Sequence, residues 1–219
     1  MTIRTIILAA IASLGFAGTG LGQFWAPPST KLTATDGAGS NFFGRSVAID
    51  GDTCVIGAPG TSSYTGSAYV FTKSDGSWSQ VQTLTAIGGA SGGWFGKSVA
   101  IDGDTCVIGA DRTNSLTGSA YVFTKSGGSW SQVAELTATG GASTDYFGRS
   151  VAIDGDTCVI GALGTDSSTG SAYVFTKSGG SWSQVAELTA TGGASTDYFG
   201  RSVAIDGDTC VIGALGTDS

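Results

Sequence analysis

The chain has 219 residues, 37 of them glycine, with 12% charged residues and a formal net charge of −7. Ten Lys and Arg, thinly spread, cannot build the clustered basic surface that displaces counterions from phosphate, which argues against nucleic acid as a partner. There is no histidine, which removes Ser-His-Asp and Cys-His arrangements and histidine-bound metal.

In chain order, "MTIR" supplies a basic start and Thr5–Gly18 an apolar run. That run is shorter than the ~20 residues that span a bilayer. Gly20 and Gly22 stand at positions −3 and −1 of a cut before Gln23. Residues 1–22 therefore read as a secretory signal peptide and 23–219 as the mature domain, which is expected to be secreted, periplasmic or at the cell surface. An N-terminal anchor helix is the alternative, and the short run disfavours it. No later segment is apolar enough to cross a membrane, so no span is expected after signal cleavage.

Phe43-Gly44, Phe95-Gly96, Phe147-Gly148 and Phe199-Gly200 recur every 52 residues. Cys54, Cys106, Cys158 and Cys210 keep the same period, and Thr117–Ser167 is identical to Thr169–Ser219. A fixed period of this length marks an array whose units bury their faces against one another. Four strands are predicted in the first unit, over Ser46–Asp50, Asp52–Ala58, Ser67–Lys73 and Trp78–Ala86. Asp50-Gly51 is a strong two-residue hairpin signal. The first three strands are apolar on both faces, as in a sheet sandwiched between neighbours. The fourth carries Gln80 and Gln82, with Gln132 and Glu135 in the next unit, and suits a solvent-facing outer edge.

The expected fold is all-β, a β-propeller of four-stranded antiparallel blades. Residues 23–219 hold three full blades, a leading outer strand from Lys31 and a partial last blade, so the propeller is expected to be incomplete or open. A free strand edge offers a route to self-association.

Phe-Gly at the start of each unit and Val55–Pro59, "VIGAP", after the hairpin resemble the FG-GAP repeat of integrin α subunits and many exported bacterial proteins. The resemblance covers essentially the whole mature chain. It implies a β-propeller that takes ligands on the rim of its variable loops. Only the first unit keeps the proline; the others continue with Asp111, Leu163 and Leu215. The integrin-type repeat also carries an Asp- and Asn-rich calcium loop between its first two strands, where this chain has only Asp50-Gly51-Asp52. Calcium takes six to eight oxygens, and a two-residue turn cannot wrap them. No cofactor and no metal site is therefore expected. Eight of the 17 acidic residues lie in these turns and should share one rim, which could attract divalent cations loosely.

The cysteines occupy one strand position in successive blades, too far apart for a disulfide, and read as small buried apolar side chains. The acidic residues that might act as a catalytic pair are repeated in every unit, whereas an active site normally breaks a repeat. The chain is therefore read as no enzyme.

Two loops do break it, the one after the second strand and the one before Phe-Gly, and both fall on the rim opposite the Asp-Gly turns. Varied loops on a rigid scaffold commonly make binding sites. Tyr64, Trp94, Asp111, Arg112, Asn114, Tyr146 and Asp166 are the candidate ligand-binding residues; the alternative is that these loops merely tolerate change. The function expected is an exported, non-catalytic binding or adhesion module for an extracellular protein or glycan ligand. A structural cell-surface array and the non-catalytic part of a larger carbohydrate-active enzyme are the alternatives.

Overall fold

The computed structural model describes residues 30–216; the expected signal peptide lies outside them. In the first unit β1 (Ser46–Asp50), β2 (Thr53–Ala58), β3 (Ser67–Ser74) and β4 (Ser77–Leu84) pair antiparallel in chain order. The second unit repeats this with β5 (Ser98–Asp102), β6 (Thr105–Ala110), β7 (Ser119–Ser126) and β8 (Ser129–Leu136). The third does so with β9 (Phe147–Asp154), β10 (Thr157–Ala162), β11 (Ser171–Ser178) and β12 (Ser181–Leu188). The fourth contributes β13 (Ser202–Asp206) and β14 (Thr209–Gly213). The described chain is thus three four-stranded blades and one two-stranded sheet, as the apolar strands and Asp-Gly turns predict.

Pleating sends alternate residues to opposite faces of a blade. Val55 and Val70 leave the first blade and meet Val99, Ile108, Tyr121 and Phe123 of the second. One unit later Val107 and Val122 meet Val151, Ile160, Tyr173 and Phe175. Cys54, Cys106 and Cys158 are buried and unpaired, and Cys210 is also free. Burial pushes the Cys54 thiol up to about 11 and the Cys158 thiol up to about 12.

The seam explains the spacing of the repeated motif. Phe95 opens the second unit and packs edge-on against Tyr121 at 5.5 Å and Phe123 at 5.9 Å. A Cβ on Gly57 of the first blade would collide with the backbone carbonyl of Gly96. One blade's second strand must therefore be bare where the next blade's Phe-Gly crosses it.

A register shift beside Phe71 makes Val81 the extra residue of a β-bulge, so β4 turns over midway. That leaves Val81, and likewise Val133, half in solvent. Gln80, Gln82 and Gln132, expected in solvent, instead bind backbone across the seams. Gln82 Nε2 donates to the Trp130 carbonyl at 2.7 Å while its Oε1 accepts from the Trp130 N–H at 2.8 Å. Gln80 accepts from the Thr35 N–H at 3.0 Å and Gln132 from the Ile87 N–H at 2.8 Å.

The arc is open. Val47 and Ile49 on the first blade and Val211 on the last sheet are more than half exposed, whereas Val55, Val107 and Val159, at the phase of Val211, are fully buried. The leading outer strand expected from Lys31 is not seen as a strand: residues 31–34 join no ladder, although Leu32 is buried in the cluster of Cys54, Ile56 and Tyr69. Among the described residues no helix is long and apolar enough to cross a membrane.

Candidate functional site

The meander gives the arc two rims of different chemistry. On the Asp-Gly rim, Asp50 Oδ2 accepts the Gly103 N–H of the next blade at 2.7 Å, and Asp102 Oδ2 accepts that of Gly155 at 2.6 Å. Asp154 repeats the bond with Gly207. The first aspartate of each turn thus ties one blade to the next. The second acts through its backbone: the Asp52 carbonyl accepts the Lys73 N–H at 2.8 Å. Among the described residues no group of His, Cys, Asp and Glu is arranged to hold a metal ion.

On the opposite rim the β2–β3 loop makes a left-handed turn. Ser62, Ser63 and Tyr64 have φ of 48, 56 and 63°, and Asn114–Leu116 and Asp166–Ser168 repeat it. Left-handed backbone costs about 1–2 kcal/mol per residue outside glycine, so something must hold it. The turn aims its carbonyls at the next unit. Ser63 O accepts from Gly92 N at 3.2 Å and from Ser91 Oγ at 2.9 Å, and Tyr64 O accepts from Trp94 N at 2.9 Å. The next two seams repeat the serine hydroxyl bond, at Ser143 and Ser195, and the aromatic N–H bond, at Tyr146 and Tyr198, so the strain serves assembly.

The second unit departs from this pattern, and its departures meet at one ring. Trp94 stands where the other units have Phe42, Tyr146 and Tyr198. The Tyr64 ring stacks beside it at 5.6 Å and 13°, and Phe42 lies 6.4 Å away. The Arg112 guanidinium sits over the Trp94 ring at 3.9 Å, and Lys97 Nζ lies 5.2 Å from its centre. The Arg112 N–H donates to the Gly93 carbonyl at 3.3 Å. In the third unit the equivalent residue is Gly164, where a Cβ would strike the Thr144 carbonyl. Asp111 turns inward, wholly buried, and pairs with Arg149 at 3.1 Å; its Oδ1 has no partner among the described residues. Lys97 is 8% exposed. Burial, with the charges of Arg149, Arg45 and Arg112 against that of Asp111, pulls its ammonium down to about 8.

The profile of the FG-GAP repeat matches residues 29–71, 78–123, 130–175 and 182–219. The chain belongs to the FG-GAP repeat family. No curated protein matches it. From the second match on, each FG-GAP match opens on the outer strand of one blade and runs through the inner strands of the next, so the family's unit straddles the seam.

Of the residues singled out from this FG-GAP sequence, Tyr64, Trp94 and Arg112 come together, with Asp111 buried behind them as an anchor for Arg149. Asn114 and Asp166 lie exposed in the left-handed turns of the second and third units. Tyr146 is half-buried, its N–H bound to the Leu116 carbonyl at 2.8 Å. No described aromatic or ionic contact joins these three to Trp94.

Sequence reasoning missed Phe42, Lys97 and Arg149. Phe42 shares the phase of Trp94, and Lys97 is the single lysine in a column of Arg45, Arg149 and Arg201, so both signals were present. The view of the basic residues as thinly spread is also corrected. Arg45, Lys97 and Arg201 each precede an inner strand and Arg149 lies near the start of β9, so with Arg112 they place five of the ten on the loop rim.

Proposed function

We propose that this FG-GAP repeat chain is an exported, non-catalytic binding or adhesion module whose ligand sits on the loop rim at the seam of the first two blades. One observation carries the reading: Trp94, Lys97, Asp111 and Arg112, the residues by which the second unit departs from its neighbours, cluster around one partly exposed aromatic group. A uniform scaffold needs no such exception, and aromatic residues with arginine dominate binding hot spots. FG-GAP repeats are typically extracellular, which agrees with a leader at residues 1–22.

A panel of immobilised glycans and extracellular proteins tests it. The chain is expected to retain at least one component, to lose it in Tyr64→Ala and Arg112→Ala, and to keep it in Asp52→Asn on the opposite rim. Retention that survives both loop-rim substitutions would refute the placement, and an empty panel would refute the function.

A structural surface array has one observation of its own, the exposed apolar Val47, Ile49 and Val211 on the two end faces of the arc. Concentration-dependent assembly without ligand would favour it.

A further inference from the structure

The chain is acidic overall, yet the patch around Trp94 is basic. Arg45, Lys97, Arg112 and Arg149 gather there, and among the described residues Asp111 is the one carboxylate that bears on Lys97. Asp111 already holds Arg149, and among the described residues no ion pair compensates the remaining cations. Lys97 is nine-tenths buried with no carboxylate oxygen within ion-pair distance among the described residues. A cation taken that far from water calls for an anion. Arg112 is exposed, its guanidinium sits over the Trp94 ring, and the guanidinium fork matches a carboxylate.

Beside these cations lie rings. Phe42 and Tyr64 keep 47% and 41% of their surface in solvent, and their centroids are 6.2 Å apart. Rigid rings of this kind are stacking platforms. The C–H face of a sugar needs a surface to lie on, with its hydroxyls left in water. A peptide anchor calls for a desolvating pocket or a free strand edge, whereas Phe42 and Tyr64 are exposed rings on left-handed loop backbone.

We propose that this patch binds an acidic saccharide, with Phe42 and Tyr64 under a sugar ring and Lys97 and Arg112 on its carboxylate. The proposal deepens the binding-module reading and rests on it. It also explains why the departures occur together. Trp94 carries Arg112, and Asp111 engages Arg149, which leaves Lys97 and Arg112 for the ligand.

Titration calorimetry on the whole chain tests the class, with oligogalacturonate and oligomannuronate as probes, their methyl esters as neutral controls and polyglutamate as the acidic peptide. At least one uronate is expected to bind, with its ester roughly tenfold or more weaker, the size of one lost charged hydrogen bond. Arg112→Gln and Tyr64→Ala should each weaken the uronate by a similar factor. Both residues are exposed, so the fold should survive; Lys97→Gln is the buried counterpart. Binding of an ester as tight as its acid would overturn the acidic class and leave a neutral-glycan module standing. Polyglutamate binding as tightly, and indifferent to Tyr64→Ala, would make the patch a peptide surface. No binding of any probe would overturn the acidic-saccharide proposal, while the wider panel decides separately whether the rim binds anything.

Discussion

Asp102 and Asp104 flank the same turn glycine, yet they hold different things. The Asp102 carboxylate accepts the Gly155 N–H of the next blade at 2.6 Å, whereas Asp104 contributes its backbone carbonyl to Lys125 N at 2.8 Å. Asp102→Ala is therefore expected to lower stability by about 1 kcal/mol, the net worth of one partly solvated bond. Asp104→Ala should stay within about 0.5 kcal/mol. Urea unfolding of the two variants checks this, and equal losses would mean that the inter-blade bond contributes nothing. The difference is invisible in "IDGDT", which reads as turn chemistry alone. Its partner lies 53 residues away on a separate sheet.

At the scale of the element, the strands were legible and the left-handed turns were not. "VAI", "CVI" and "YVF" are apolar on both faces, so only a sheet covered on both sides suits them. Ser62-Ser63-Tyr64, Asn114-Ser115-Leu116 and Asp166-Ser167-Ser168 contain no glycine to announce positive φ. Their conformation is imposed by the next unit, whose N–H groups take their carbonyls, and no local pattern encodes that. The seam itself makes a sharp prediction. A Cβ at position 109 would strike the Gly148 carbonyl, so Gly109→Ala should cost about 1–3 kcal/mol through overpacking. Hydrogen exchange should speed up in β6 and in β9, the two strands that meet there. A neutral Gly109→Ala would mean that the blades do not approach this closely.

The whole molecule separates two kinds of chemistry by topology. Eight aspartates of the Asp-Gly turns lie on one rim and five basic residues on the other. Counting turns along the meander was enough to sort the loops. Convergence on Trp94 was not readable, because Phe42, Tyr64, Lys97 and Arg112 come from four separate loops or loop ends of two units. The clue available was that the second unit breaks the repeat. The most direct measurement removes that break. Gly92→Thr, Gly93→Asp, Trp94→Tyr, Lys97→Arg, Asp111→Leu and Arg112→Gly convert the patch to the third unit's residues, which that unit already accommodates on an equivalent backbone. Wild type and variant would be compared on the same panel of glycans and proteins, with thermal melting alongside. The account predicts unchanged melting and complete loss of binding. A folded variant that binds as wild type does would contradict it.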